Sequence, residues 1–181
     1  MLCAAFPLGL ESIAAAAADP AGMVGAASGK TGEVNWKLNG STLTIYGEGK
    51  MEEDYGDLKY YKGPWKDYRK SIKSVVVDEG VTLVGQRAFH GCESLTSISI
   101  PDGVTRIPEE AFYGCSSLTL IFIPDSVRAI EDFAFGGCPR VTIVCSEGSF
   151  AHKYCVKKNA AFLSDYPGGA EQRADAAEQP E

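Results

Sequence analysis

Three phenylalanines spaced 23 residues apart, Phe89, Phe112 and Phe135, anchor a repeat that governs the middle of the chain. An alanine precedes each one (Ala88, Ala111, Ala134), and a glycine–cysteine pair follows at the same step (Gly91-Cys92, Gly114-Cys115, Gly137-Cys138). Aliphatic residues keep the step too: Ile72, Leu95, Leu118 and Val141; Val75, Ile98, Ile121 and Val144; Val81, Val104 and Val127; Val84, Ile107 and Ile130. A period of this length means stacked supersecondary units, none of which can bury its apolar face alone. Arrays of this kind present extended binding surfaces and seldom carry chemistry.

The stretch Leu95 to Ser117 shows the grammar of one unit. Leu95, Ile98 and Ile100 stand at positions 1, 4 and 6 of a short strand, and positions 4 and 6 share a face. Pro101-Asp102-Gly103 ends the strand with turn chemistry. Val104 and Ile107 bury again on the return side, Glu109 to Phe112 makes a short helical turn, and Gly114-Cys115 closes it before the next strand.

The flanks differ from the repeats. Residues 1 to 29 hold no Lys or Arg, and an apolar run from Leu2 to Leu10 leads into Ala14 to Ala18. This has the character of the h-region and cleavage site of a secretory signal, with cleavage expected after Ala18. The basic n-region is absent, so the reading is a truncated signal, with a low-complexity leader as the alternative. The leader is too short and interrupted for a spanning helix. Gly22 to Gly32 reads as a small-residue linker. Val34, Trp36 and Leu38 alternate with polar residues, Asn39-Gly40 gives a turn, and Leu43 and Ile45 follow, which predicts a hairpin over 33–47. Tyr55, Tyr60, Tyr61, Trp65 and Tyr68 crowd the segment before the first repeat. A cover over the first rung is one reading; a ring platform for sugar, formed by Tyr60, Tyr61 and Trp65, is the other. At the far end Ser149 is placed to cap a helix over 150–159, with Phe150, Ala151, Tyr154 and Cys155 on one face. Ala161, Phe162 and Leu163 then read as a last packed segment, and 164–181 lacks the apolar residues to order itself.

The net charge of −7 argues against a nucleic-acid partner, which needs a basic face. Lys66, Arg69, Lys70 and Lys73 are interrupted by other residues and read as a solvated edge. Of six cysteines, Cys92, Cys115 and Cys138 belong to the repeat and read as a column of small buried thiols; Cys3 lies in the leader. Cys145 and Cys155 stand either as a short-loop disulfide or as thiols. No metal spacing, Ca²⁺ loop or phosphate loop is found, and no cofactor is expected. His152 and Cys155 lie one helical turn apart, but a Cys–His nucleophile needs an orienting group and an oxyanion hole as well. His90 stands where the other units have Tyr113 and Gly136. Glu109 and Glu110 read as solvated charge.

The string Leu118 to Val127, followed by Ile130, Ala134-Phe135 and Gly137-Cys138, resembles the BspA-like leucine-rich repeat over about residues 71–145. Trp36, Leu43, Ile45, Pro64-Trp65 and Tyr68 are similar to the N-terminal cap that precedes such repeats. Gly148 to Ala151 and Tyr154 resemble the closing segment. The resemblance implies a repeat solenoid of the leucine-rich-repeat type, with mostly short parallel β-strands, short helical turns, an N-terminal β-hairpin cap and a C-terminal helical cap. It implies an exported protein, secreted or at the bacterial cell surface, that recognises or adheres to an extracellular or host protein and has no catalytic residues. The divisions are 1–29 leader and linker, 30–70 cap, 71–146 repeats, 147–163 closing cap and 164–181 acidic tail.

Positions 3 and 5 of each strand are expected to point away from the core. In the family they are commonly Ser or Thr; here they are Ser74 and Val76, Ser97 and Ser99, Leu120 and Phe122, and Ile143 and Cys145. Val76, Ser99, Leu120, Phe122 and Ile143 are therefore the expected protein-binding residues. Binding of wall or host glycans through Tyr60, Tyr61 and Trp65, and a purely structural spacer, are the alternatives.

Overall fold

The computed structural model describes residues 27–56 and 62–164. The signal-like run, Cys3, Tyr60, Tyr61 and residues 165–181 of the acidic tail lie outside the described residues. In chain order the elements are β1 (Ala27–Thr31), β2 (Val34–Asn39), β3 (Thr42–Tyr46), β4 (Gly49–Lys50), β5 (Ser74–Val77), β6 (Val81–Leu83), β7 (Ser97–Ser99), β8 (Arg106–Ile107), β9 (Leu120–Phe122), β10 (Ala129–Ile130), β11 (Thr142–Val144), α1 (Phe150–Lys158) and β12 (Phe162–Leu163). Eight strands form one sheet in the order β1-β2-β3-β5-β7-β9-β11-β12. The first three are antiparallel neighbours, and every later junction is parallel. Behind the sheet the return segments pair in parallel as β4 with β6 and β8 with β10.

The 23-residue step is the register of this ladder, with Ser74 opposite Ser97 and Ser97 opposite Leu120. An aromatic file runs through the interior. Phe89 stacks on Phe112 at 5.4 Å and Phe112 on Phe135 at 5.6 Å, with rings within 16° of parallel. Trp65 extends the file one place before Phe89, stacked at 6.0 Å, and its indole N–H donates to the Ala88 carbonyl at 2.9 Å. Trp36 and Tyr55 pack on Trp65, while Tyr154 of α1 meets Phe135 edge-on at 6.4 Å. Each such pair adds roughly 0.5–1.5 kcal/mol beyond its burial. Beside the file, the Cys115 thiol donates to the Phe89 carbonyl at 3.2 Å and that of Cys138 to the Phe112 carbonyl at 3.0 Å. Burial pushes the Cys92 thiol up to about 12. The repeated glycine has a conformational cause: Gly91, Gly114 and Gly137 all adopt φ near +70°, a region that only glycine enters freely.

Four details depart from expectation. First, Ala27 to Thr31, within the expected linker, is a strand paired along its length with β2. A Cβ at Gly29 would lie 2.9 Å from Trp36 Nε1, so the small residue makes room for the indole. Second, the two-residue hairpin loop is Gly40-Ser41, one place later than Asn39-Gly40, because Asn39 pairs with Thr42; glycine at the first loop position, with φ of +58°, is what a type II′ turn requires. Third, Phe162 and Leu163 are not a packed segment but an edge strand, 38% and 53% exposed.

The fourth departure alters the candidate site. The N–H groups of Leu95, Leu118 and Val141 each donate to the cysteine carbonyl three residues before, so the last turn is in phase. The strand that follows then pairs one residue early, with Thr142 opposite Leu120 and Ile143 opposite Ile121. A one-residue slip sends every side chain of a strand to the other face.

Candidate functional site

The slip decides which residues of β11 face outward. Ile143 and Cys145 were expected outside with Leu120 and Phe122; they instead take the inner side and are 1% and 0% exposed. Thr142 and Val144 hold the outer positions, opposite Leu120 and Phe122. Ser146, which the 23-residue step would set at the inner position 6 after Ile100 and Ile123, is displaced beyond it and buried, its hydroxyl without a partner among the described residues.

The outer face of the sheet is thereby built from two rows. One carries Lys37, Thr44 and Val76, Ser99 opposite Phe122, then Val144 and Leu163. The other carries Asn39, Thr42 and Ser74, then Ser97, Leu120 and Thr142. Val76, Leu120 and Phe122 are half-buried and Ser99 is exposed. Val144, between Phe122 and Leu163 in the ladder, is 4% exposed. Leu120, Phe122, Val144 and Leu163 thus adjoin across three strands, where the earlier strands of the parallel array carry Ser74, Val76, Ser97 and Ser99.

The sugar-platform candidate fares differently. Trp65 is fully buried, because the inner file claims both its ring and its N–H. It therefore presents no face to a ligand. Tyr55, buried beside it, exchanges a hydrogen bond with Thr31 Oγ1, and burial raises its phenol well above the ordinary range.

Helix α1 forms as the sequence indicates. Ser149 Oγ accepts from the His152 N–H at 3.1 Å, and Asn159 ends the helix in the left-handed region at φ of +52°. Its inner face is Ala151 and Cys155; Phe150 is exposed and Tyr154 half-buried. His152 and Cys155 do not form a nucleophile pair. His152 Nδ1 accepts from the Gly148 N–H at 2.9 Å, and its ring lies 4.6 Å from that of Phe162. Cys145 and Cys155 are free thiols, both buried. A hydrogen bond from Cys155 to Cys145 lowers Cys145 to about 7 and drives Cys155 far up.

Glu109 and Glu110 are tied to the preceding rung, by Gln86 at 2.8 Å and Arg87 at 2.8 Å. Lys70 meets Glu93 at 3.4 Å. His90 is buried, stacked on Tyr113 at 5.1 Å, and neither ring nitrogen has a partner among the described residues. Among the described residues there is no group of three or more His, Cys, Asp or Glu placed to hold a metal ion, and no helix long and apolar enough to cross a membrane.

The family model for the BspA type leucine rich repeat region matches residues 67–158, in six copies. Among solved structures, a leucine-rich repeat protein from Eubacterium ventriosum is similar at 21% identity and a TM-score of 0.47; the match covers 68% of this chain and 45% of that one. No curated protein matches.

Proposed function

The chain belongs to the BspA type leucine rich repeat family, and from that premise we propose that it is a non-catalytic protein-recognition module that docks its partner on the outer face of the sheet. The observation that carries this is Leu120 and Phe122, half-buried in outward ladder positions where Ser97 and Ser99 stand one rung earlier, with exposed Leu163 beyond the buried Val144. Val76 and Ser99 flank it in the same row, and Ile143, turned to the core, leaves the site. Apolar side chains grouped on a surface mark interaction sites. We further propose that the rungs form a solenoid closed by the hairpin β2–β3 at one end and α1 at the other. Trp36 and Tyr154, at the two ends of the aromatic file, support this. The family assignment favours export to the cell surface or medium, with an extracellular protein as partner.

The test is a binding panel of purified extracellular proteins against the full chain and a Leu120→Ser, Phe122→Ser variant. Circular dichroism first establishes that the variant keeps its fold. A ligand bound by the parent and lost by the variant is the expected result. A ligand bound equally by both would place recognition elsewhere.

A further inference from the structure

The closing segment brings together two cysteines that the repeat does not require. Cys145 follows β11 on the core side, where the register slip has turned it, and Cys155 lies on the inner face of α1. Neither keeps the 23-residue step of Cys92, Cys115 and Cys138. Both are fully buried in the core. The Cys155 thiol donates to the Cys145 sulfur, and the Ser149 hydroxyl donates to the same sulfur. Backbone bonds hold the pair in place. The Cys145 N–H donates to the Leu163 carbonyl at 3.1 Å, and the Cys155 carbonyl accepts from the Ala160 N–H at 2.9 Å and from the Asn159 N–H.

Two donors on one sulfur favour its thiolate. The hydrogen bond from Cys155, with that from Ser149, brings Cys145 down to about 7 against its burial and the charge of Asp125. The thiols of the repeat are arranged otherwise. Cys115 and Cys138 adjoin, but they donate to the carbonyls of Phe89 and Phe112, and burial holds Cys92 far from its thiolate form.

We propose that Cys145 and Cys155 are a disulfide site, which in an oxidising medium closes covalently and latches α1 to the end of β11. The structure holds the reduced pair. The step is thiol–disulfide exchange with a small-molecule disulfide. The Cys145 thiolate attacks one sulfur of the reagent, releases one thiol and is left as a mixed disulfide. Cys155 then gives up its proton and attacks the Cys145 sulfur, which forms the new bond and releases the second thiol. Two electrons pass from the pair to the reagent, and the two protons end on the released thiols. Because both sulfurs are buried, the reagent reaches them when α1 lifts or while the chain folds. The hold on α1 is small: Ala151 and Cys155 are its buried residues, and Phe150 and Val156 are exposed. Terminal elements with few buried side chains open at low cost. The proposal draws on export only for the natural oxidant and does not depend on the docking face.

The test maps the thiols of the full chain. One sample is held folded with oxidised glutathione. A second is refolded from denaturant in its presence, so that access sets no limit. Both are blocked with iodoacetamide and digested with trypsin without reductant. Cleavage after Arg140, Lys153 and Lys157 puts the two cysteines on separate peptides, 141–153 and 154–157. Mass spectrometry is expected to find these two joined, with Cys92, Cys115 and Cys138 blocked. The melting temperature is expected to rise by about 5–10 °C over the reduced chain, and dithiothreitol is expected to remove the gain. A Cys155→Ser variant is expected to show neither; the comparison of the parent with and without dithiothreitol gives the same information without a substitution. Both peptides blocked in both samples would overturn the proposal. So would a bond between Cys115 and Cys138, or one to Cys3, in place of this pair. Joined peptides with no gain in melting temperature would overturn the latch. Every readout is taken without a ligand, so a failure here leaves the docking face standing, and a failure of the docking face leaves the disulfide standing.

Discussion

The inner and outer faces of the sheet obey different rules although the same strands make both. Inside, each rung places the same groups at the same height: aromatic ring, thiol, aliphatic pair. Outside, the rungs differ: Ser74 and Val76, then Ser97 and Ser99, then Leu120 and Phe122, then Thr142 and Val144. A ring stacked between two rings is constrained from both sides, and a change at one height is felt at the next. An outward side chain meets only its lateral neighbours and whatever docks there. Repetition is therefore enforced where rungs touch, and individuality is free to accumulate where they do not. This separation is what makes the outer face a place to seek a specific partner.

Phe112→Ala attacks the shared interior most directly. It removes the middle ring of the file and is expected to cost about 3–5 kcal/mol. Chemical denaturation followed by circular dichroism should still show one transition, because the stack couples both ends. Two separated transitions would mean that the polar and apolar halves of the sheet fold independently.

A second pair of substitutions sharpens the contrast between the faces. Ile143→Ala is expected to destabilise by about 2–5 kcal/mol, as for a core position, whereas Leu120→Ser should cost about 1 kcal/mol. Equal costs would return Ile143 to the outer face and undo the register observed for β11. Smaller again is the transplant Ser97→Leu, Ser99→Phe, which extends the apolar character toward β5. Stability should change by no more than about 0.5 kcal/mol, while binding of a hydrophobic dye should rise. No rise would mean that the patch depends on Val144 and Leu163 and not on the outward positions as such.

The smallest effect concerns His90. Burial lowers its pKa, Glu110 opposes this, and Arg69 and Arg87 add to it; Tyr113 covers the ring. With a folded value below the unfolded one of about 6.5, the unfolded chain binds the proton first as the solution is acidified. Stability is then full above that pH and declines below it, toward the folded pKa. His90→Tyr, which copies Tyr113, should flatten a melting-temperature profile between neutral and mildly acid pH. An unchanged slope would assign the pH dependence to other groups.

Much of the fold was legible because its signals are redundant. Phe89, Phe112 and Phe135 mark the step three times, and Trp36, Leu38, Leu43 and Ile45 alternate on both arms of the hairpin. Ser149 stands ahead of a run whose buried residues, Ala151 and Cys155, are four apart. What escaped was set by pairing and not by residue type. Val144 is apolar in either register, so composition alone did not reveal the slip; the available sign was Ser146, a hydroxyl where Ile100 and Ile123 are aliphatic. Ala27 to Thr31 became a strand because β2 offered an unpaired edge, and small residues give little periodicity to read. Trp65 stood between two readings, a cover over the first rung and a ring platform with Tyr60 and Tyr61. Its place one step ahead of Phe89, 24 residues on, was the clue to its burial.

The one-residue slip at β11 also has a meaning for how such a chain changes over time. A strand that enters the ladder one residue early exchanges its two sides: here Val144 goes to the outer row and Ile143 to the core. A point mutation edits one position of the outer face, whereas a three-nucleotide insertion or deletion just before the strand rewrites the whole strand and can leave the turn intact. Length variation just before the strands, more than substitution within them, is thus the coarse control on the composition of this face.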